Sequence, residues 1–210
     1  EPPLQRTPSG PPWARIGNPR IEHWTSLPCG VVTLAEHHGG VDVPDHIYEG
    51  MVAEVSARIA PFIEQIEAER DRLDAADGGF HLLGTSGTVT TIAGVHLGLP
   101  RYDRNRIDGI WITPEDVHRV TRELLSMNYD DRASHPCVGQ ERADLVLAGC
   151  AIFEAIARAW PADRLRVADR GLREGILLSL MEADAARGHR RRRRRRGGAK
   201  VSRQQTEVPA

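Results

Sequence analysis

Apolar residues recur at steps of three or four through much of the first half of the chain, which is the spacing of amphipathic helices. The longest such pattern covers Pro44 to Leu73 and predicts a long helix that bends or breaks at Pro61. A shorter helix is predicted over Val31 to His38, and partial alternation over Ile21 to Leu27 predicts a strand. One strand and two helices are therefore expected before position 74.

The sharpest change of pattern lies between Phe80 and Gly94. An apolar run of strand length, His81 to Leu83, ends in a loop of Gly, Thr and Ser, and Val89 to Ala93 resume a helical pattern. Glycine permits close backbone approach, and a helix start offers free N–H groups, so this turn suits an anion or a nucleotide-sized group. The candidate binding residues are Gly84, Thr85, Ser86, Gly87 and Thr88.

Other interpretations of this turn are available. It lacks the Lys of a Walker phosphate loop and the third glycine of the dinucleotide fingerprint. A nucleophile elbow would need Gly where Thr88 stands, which argues against Ser86 as an activated serine. A Gly/Thr/Ser turn before a helix is also a common structural N-cap, so a ligand site and a cap both stay open.

The second half of the chain alternates short apolar runs with helical patterns. Thr113 to Asp116 form a strong helix start, with a Thr cap, Pro in the first turn and acidic residues for the helix dipole. The predicted strands are Ile107 to Ile112 and Leu165 to Ala168, and the predicted helices are Pro114 to Met127, Glu141 to Trp160 and Leu172 to about Ala186. This order predicts an α/β fold.

Three polar segments between these elements carry candidate chemistry. In the loop Leu97 to Asp108, Arg101 and Arg104 can bind phosphate through their guanidinium forks, although a solvated loop is an equal alternative. In the polar loop Asn128 to Gln140, a buried or capping role for Cys137 is favoured over Cys–His catalysis. Asp169, followed by Arg170, can cap the last helix or face a ligand, and the cap is favoured.

A metal site at Glu36, His37 and His38 is considered and disfavoured. Adjacent side chains on a helix point about 100° apart, so these three are predicted not to converge on one ion. A solvated helix face is the preferred interpretation.

The net charge of −1 conceals two oppositely charged regions. Residues 1–189 contain 19 basic and 28 acidic residues, a charge of −9, whereas residues 190–210 contain nine basic residues and one acidic residue, a charge of +8. The seven consecutive arginines Arg190 to Arg196 can bind a polyanion such as nucleic acid, an acidic membrane surface or polyphosphate. A solubilising tail is an equal alternative.

Composition predicts the division of the chain. Residues 1–20 are rich in Pro and Gly and are expected to form a loop or ragged end; the opening without Met suggests that the start of a larger protein is absent. Residues 21–187 are expected to form one folded domain and residues 188–210 a disordered tail. A cytoplasmic protein is favoured by the wide spacing of the three cysteines, Cys29, Cys137 and Cys150. The sequence also shows no membrane-spanning run and no signal pattern.

Five collinear blocks resemble one family, the exopolyphosphatase and guanosine pentaphosphate phosphohydrolase (Ppx/GppA) family. These blocks are Trp24 to Leu34, Gly84 to Ala93, Leu99 to Asp103, Glu141 to Gly149 and Ala168 to Leu177. The resemblance implies an actin-like, ribonuclease-H-like ATPase-superfamily fold of two α/β domains around a cleft, with this chain similar to the second domain. It also implies that Gly84 to Thr88 occupy the adenosine-motif position and that Asp169 to Gly171 correspond to a further motif.

The resemblance also implies an activity. Family members release terminal phosphate from polyphosphate or guanosine pentaphosphate, with Mg²⁺ and an acidic residue that activates water, and often form homodimers. The catalytic Glu and both Asp-Ile-Gly motifs, expected upstream of Trp24, are absent from this chain. The chain alone is therefore predicted to be inactive, and the alternative is a module that binds polyphosphate, a guanosine nucleotide or RNA without cleaving it.

Overall fold

The structure is a computed structural model that describes residues 21–74, 80–181 and 184. The predicted N-terminal loop, 1–20, and the predicted Arg-rich tail, 188–210, lie outside the described residues. The helices are α1 (Val31–His38), α2 (Asp45–Asp74), α3 (Gly87–His96), α4 (Arg104–Ile107), α5 (Pro114–Ser126), α6 (Tyr129–Ser134), α7 (Val146–Ala159) and α8 (172–181), and the strands are β1 (Leu82–Gly84), β2 (Trp111–Ile112) and β3 (Leu165–Val167).

The three short strands form one mixed sheet in the order β1-β3-β2. β1 runs parallel to β3, with Leu82 opposite Leu165 and Gly84 opposite Val167, whereas β2 is antiparallel to β3. Because parallel strands end on the same side of a sheet, the loops after β1 and β3 emerge next to each other. Helices with a small mixed sheet confirm the predicted α/β class.

The hydrophobic core lies where α2 and α7 pack together and meet the sheet and α3. Met51 and Val55 of α2 and Leu147 and Ala151 of α7 are all buried in it. The middle of α7 is buried on nearly every side, as its apolar sequence predicts. In the part of the chain that the structure describes, no helix is both long and apolar enough to cross a membrane.

Most of the strongly patterned elements are confirmed. Four predictions match the structure to within a few residues at each end: α1, α5, β3 and the segment from β1 to α3. α5 begins with the predicted cap: the Thr113 hydroxyl accepts a hydrogen bond from the Asp116 N–H at 3.2 Å. The Asp116 carboxylate accepts one in return from the Thr113 N–H at 3.4 Å, which completes a capping box.

One prediction in the first half was wrong, and in another the expected break is absent. Ile21 to Leu27 form an exposed irregular segment, because no neighbouring strand in the described residues takes up their backbone groups. α2 continues through Pro61 without interruption. Pro61 has no N–H to donate to the Ala57 carbonyl, and both residues are exposed, so the lost hydrogen bond lies on the outer side of α2.

Three elements of the second half differ from prediction, two of them through local capping. The predicted strand over Ile107 to Ile112 is reduced to β2, because the Asp103 carboxylate caps the short helix α4, which ends at Ile107. The predicted polar loop after Asn128 contains α6, capped by the Asn128 side chain. The predicted helix from Glu141 begins only at Val146, and residues 141–145 form turns.

Candidate functional site

The loops that follow β1 and β3 lie side by side at one edge of the sheet. The Ala168 N–H donates to the Gly84 carbonyl at 2.9 Å, which continues the pairing beyond the strands. A Cβ built on Gly171 would lie 3.9 Å from the Thr85 carbonyl oxygen. The two segments that the sequence singles out, Gly84 to Thr88 and Asp169 to Gly171, are therefore neighbours in space.

α3 begins at this edge with an exposed N-terminus. The Ser86 hydroxyl accepts a hydrogen bond from the Val89 N–H at 3.2 Å, so Ser86 is the N-cap. The N–H groups of Gly87 and Thr88 donate to no atom of the described residues. Free N–H groups at the positive end of a helix dipole favour an anion.

Two close contacts fix the shape of this turn. A Cβ on Gly84 would lie 2.8 Å from both Val89 methyl groups, so only glycine fits at the end of β1. A Cβ on Gly149 of α7 would lie 2.1 Å from the Thr88 hydroxyl oxygen. The Thr88 side chain thus packs against α7, and its backbone N–H is the group that it offers to a ligand.

Arg142 supplies a positive charge beside the start of α3, and sequence reasoning did not select it. A Cβ on Gly87 would lie 3.6 Å from the guanidinium carbon of Arg142, and Arg142 donates to the Thr91 hydroxyl at 3.3 Å. Arg142, Ser86 and Thr88 line one cavity of about 230 Å³. The only sequence signal for it is its place in the Glu141 to Gly149 block that resembles the family.

Arg104 and Asp169 meet at the same edge but bind each other. The Asp169 carboxylate forms an ion pair with Arg104 and accepts a hydrogen bond from the Tyr102 hydroxyl at 2.6 Å. Burial, and then this hydrogen bond, raise the pKa of Tyr102, while the positive charge of nearby Arg142 opposes the rise. Asp169 therefore ties the loop before α4 to the end of β3.

Asp169 does not form the cap that was favoured for it, because its carboxylate binds Arg104 and Tyr102. The Gly171 N–H, at the start of α8, donates to the Glu174 carboxylate at 2.9 Å. That hydrogen bond lowers the pKa of Glu174. Arg101 and Arg170, the other two predicted site residues, are exposed and form no hydrogen bond or ion pair within residues 21–74 and 80–181.

The residues at this edge do not fit a Mg²⁺ site by themselves. Mg²⁺ requires near-octahedral oxygen ligands, usually including one or two carboxylates. The Asp169 carboxylate already binds Arg104 and Tyr102, and the neighbouring groups of Arg142, Gly87 and Thr88 are donors that attract anions. No step of the function proposed below is assigned to the ion.

A second cluster lies away from this edge and corrects one prediction. His37 Nδ1 and His38 Nε2 lie 2.8 and 2.7 Å from the same oxygen of Glu54 on α2. The adjacent histidines do converge, because His37 reaches Glu54 through Nδ1 and His38 reaches it through Nε2, which lies farther from the backbone. Glu36 is exposed and is not part of this cluster.

The mixed sheet, its covering helices and the small-residue turn before α3 define an α/β protein of the actin-like ATPase fold. The chain belongs to the Ppx/GppA phosphatase family, whose family model matches residues 14–184.

Individual relatives agree with this assignment. The chain is 28% identical over 102 residues to Exopolyphosphatase 2 of Mycobacterium tuberculosis, a match that covers 47% of this chain and 32% of the relative. The crystal structure of the Aquifex aeolicus Ppx/GppA family member matches with a TM-score of 0.59 and 26% identity over 79% of this chain and 50% of that one. The exopolyphosphatase of Cytophaga hutchinsonii shares the fold, with a TM-score of 0.62 at 18% identity over 73% of this chain and 48% of that one. The chain thus spans about half of these structures and a third of the curated relative.

Proposed function

We propose that this region binds the terminal phosphate groups of inorganic polyphosphate as one side of a Ppx/GppA phosphohydrolase. The observation that carries the proposal is the start of α3, where the free N–H groups of Gly87 and Thr88 lie beside the Arg142 guanidinium. Backbone N–H groups and a planar guanidinium together match the oxygens and charge of a phosphate. Arg142 is thus the residue that orients the chain end.

Hydrolysis requires groups that the residues of this site do not supply. Splitting a phosphoanhydride needs a carboxylate that activates water and a cation that neutralises the phosphoryl oxygens. The chain contains no Asp-Ile-Gly sequence, and the Asp169 carboxylate at this edge is held by Arg104. We propose that these 210 residues bind polyphosphate but do not cleave it without the motifs that the family resemblance places upstream of Trp24.

Polyphosphate is the preferred substrate because the matched curated relative is named an exopolyphosphatase. Guanosine pentaphosphate offers the same terminal phosphate chemistry and is the competing ligand. A second candidate function is phosphate-chain or RNA binding without catalysis, and the observation that favours it is that the Asp169 carboxylate at this edge is already bound to Arg104 and Tyr102.

Binding of polyphosphate to the wild-type chain and to Arg142→Gln tests the proposal. Losing a charge-assisted hydrogen bond should weaken binding about tenfold or more. The control is Arg119→Gln, a change of equal charge on α5, where Arg119 contacts His96 and Glu123. Equal weakening in both variants would show nonspecific attraction, and unchanged binding in Arg142→Gln would remove Arg142 from the site.

Phosphate release separates the two candidate functions. With Mg²⁺ and either polyphosphate or guanosine pentaphosphate, this chain alone should release no phosphate above background. A chain extended by the Asp-Ile-Gly region of a relative should release it if the region belongs to a hydrolase. If the extended chain binds polyphosphate but releases no phosphate, the binding module is favoured. Phosphate release by the 210 residues alone would contradict the proposal that they bind without cleaving.

Three further properties belong to the proposal. Arg190 to Arg196 lie outside the described residues, and we propose that they add a salt-sensitive attraction to polyanions, which a variant ending at Gly188 would lose.

We propose a cytoplasmic setting, which suits the unpaired Cys29, Cys137 and Cys150. Homodimer formation stays a prediction, to be checked by light scattering.

A further inference from the structure

The end of α1 and the middle of α2 carry a cluster of possible metal ligands that the proposed function does not use. Ring nitrogens of His37 and His38 and a carboxylate oxygen of Glu54 lie within 4.8 Å of one another. Among the described residues, this is the one group of three His, Cys, Asp or Glu side chains that meets that distance. His38 and Glu54 are largely enclosed, with side chains 19% and 18% exposed, whereas His37 is 67% exposed.

The surrounding backbone holds these side chains in position. α1 ends directly after His38 at Gly39, which has a φ of 84°, and the chain then turns toward α2. The His38 ring lies over Gly50 of α2, where an added Cβ would be 3.5 Å from its Cε1 atom. His37 and His38 also contact each other, with ring centroids 4.7 Å apart. The two imidazoles are therefore fixed on the Glu54 side of α1.

We propose that His37, His38 and Glu54 bind one divalent transition-metal ion, with Zn²⁺ as the best match. Two neutral imidazoles and one carboxylate are a ligand set for Zn²⁺, with the fourth tetrahedral position left for water. Metal–ligand bonds of about 2.0 Å place tetrahedral ligand atoms about 3.3 Å apart. The two nitrogens now lie 2.8 and 2.7 Å from the Glu54 oxygen, so each of these separations must lengthen by about 0.5 Å for the ion to bind.

Arg58 provides the outer contact that such a site needs. It donates to the second oxygen of Glu54 at 2.6 Å and to the Pro28 carbonyl at 2.8 Å. This leaves one Glu54 oxygen for the ion and fixes the direction of the carboxylate, as hydrogen bonds to metal-binding carboxylates do. Because the Arg58 charge also repels a cation, the site should bind Zn²⁺ reversibly.

The ion would join α1 to α2 at a distance from the phosphate-binding edge. Seven steps of helix separate His38 from Val31, about 10 Å along α1, and Val31 lines the cavity shared with Ser86 and Arg142. Oxygen-seeking Mg²⁺ is not expected at two imidazoles, so the site is distinct from any Mg²⁺ requirement of hydrolysis. Its effect is to stabilise the packing of α1.

Co²⁺ absorption tests the proposal on metal-free full chain without a histidine tag. Co²⁺ should give the visible bands of a tetrahedral site and saturate at one ion per chain, and Zn²⁺ should displace it and raise the Tm. His37→Gln, at an exposed position that should not disturb folding, and Glu54→Gln should remove both effects. His118→Gln on α5 is the matched control and should retain them.

The opposite results are equally clear. Saturation by Co²⁺ that His37→Gln leaves unchanged would place the ion elsewhere. Absence of saturable binding by Co²⁺ and Zn²⁺ in the wild-type chain would show that the cluster is a His–Glu–Arg hydrogen-bond network only. A Zn²⁺-induced rise in Tm that His118→Gln also loses would point to nonspecific binding by histidine.

Discussion

Arg132 is a charged side chain in the interior of the protein and is only 2% exposed. Its guanidinium donates to the carbonyls of Met127, Ala143 and Val41 at 2.7, 3.0 and 2.6 Å, and to that of Gly40 at 3.3 Å. It forms no ion pair with an acidic residue among those described, and burial lowers its pKa. Arg132 thus joins three chain segments through their backbone carbonyls, which are otherwise costly to bury.

Replacing Arg132 with methionine should destabilise the protein strongly. Methionine has similar length but leaves four carbonyls without this donor, among them the carbonyl of the buried Ala143, so a loss of about 3 kcal/mol is expected. Urea unfolding measures it. Arg119→Met on the exposed face of α5, where the ion pairs are long, should cost about 0.5 kcal/mol or less. Similar urea midpoints for the two variants would show that the Arg132 contacts contribute little.

The three thiols should differ sharply in reactivity. Burial raises the pKa of Cys150 to about 12 and also raises that of Cys137, whereas Cys29 is half-buried. Because the thiolate is the reactive form, raised pKa values leave both buried thiols protonated and inert at pH 8. An aromatic disulfide reagent at pH 8 should therefore label one thiol per folded chain and three in urea.

A single substitution checks the assignment. Cys29→Ser should remove the rapid labelling and leave two thiols that react only after unfolding. Rapid labelling that survives in Cys29→Ser would mean that Cys137 or Cys150 opens to solvent in the folded state.

Single residues differ in how far sequence alone can assign them. Ser86, Gly87 and Thr88 were selected because they follow one another at a strand–helix junction, and the structure places them at the start of α3. Arg142 lies 55 positions after Gly87 in the sequence, and only the packing of α7 against α3 brings it there. Such a long-range contact leaves no local pattern.

The contact between α3 and α7 depends on one glycine. Gly149→Ala would place a methyl group 2.1 Å from the Thr88 hydroxyl oxygen, so the helices must move apart or Thr88 must shift. A loss of about 1–3 kcal/mol in unfolding free energy is expected. Gly175→Ala on α8, where an added Cβ meets nothing within 4 Å, is the control and should be neutral or slightly stabilising.

A double mutant shows whether the clash is the cause. Thr88→Gly removes the three atoms that crowd the new methyl group. In that background, the loss of unfolding free energy caused by Gly149→Ala should be smaller by about 1 kcal/mol or more. Equal costs in both backgrounds would place the damage elsewhere on α7. Because Thr88 supplies a candidate phosphate-binding N–H, Gly149→Ala alone should also weaken polyphosphate binding.

Elements with local signals were predictable, and those that depend on partners were not. α5 carries its cap, its Pro and its apolar stripe within 14 residues, and its limits were predicted correctly. Strand β2 has two residues, too few for a period to show, and it is fixed by the pairing of Trp111 with Arg166. Ile21 to Leu27 show the reverse case, a partly alternating segment without a partner strand.

The whole molecule divides into a well-buried body and an exposed last helix. The core is built from α1, α2, α3, α5 and α7, the short elements α4 and α6 beside them, the strands and the loops between them. The described part of α8 contributes no residue to it, and Leu172, Ile176, Leu177, Leu178, Leu180 and Met181 of that helix are exposed. Stability should therefore come almost entirely from residues before α8.

Two leucine-to-alanine substitutions measure that division. Leu124 of α5 is fully buried, and its truncation leaves a cavity, so a loss of about 2–5 kcal/mol in unfolding free energy is expected. Leu177 of α8 is 60% exposed, and the same substitution there should cost about 0.5 kcal/mol or less. Urea unfolding followed by circular dichroism compares them directly, because both variants remove the same atoms. A large loss at Leu177 would mean that α8 is covered in solution. Dilution would then show whether a second copy of the chain covers it, because only an intermolecular contact weakens as the protein concentration falls.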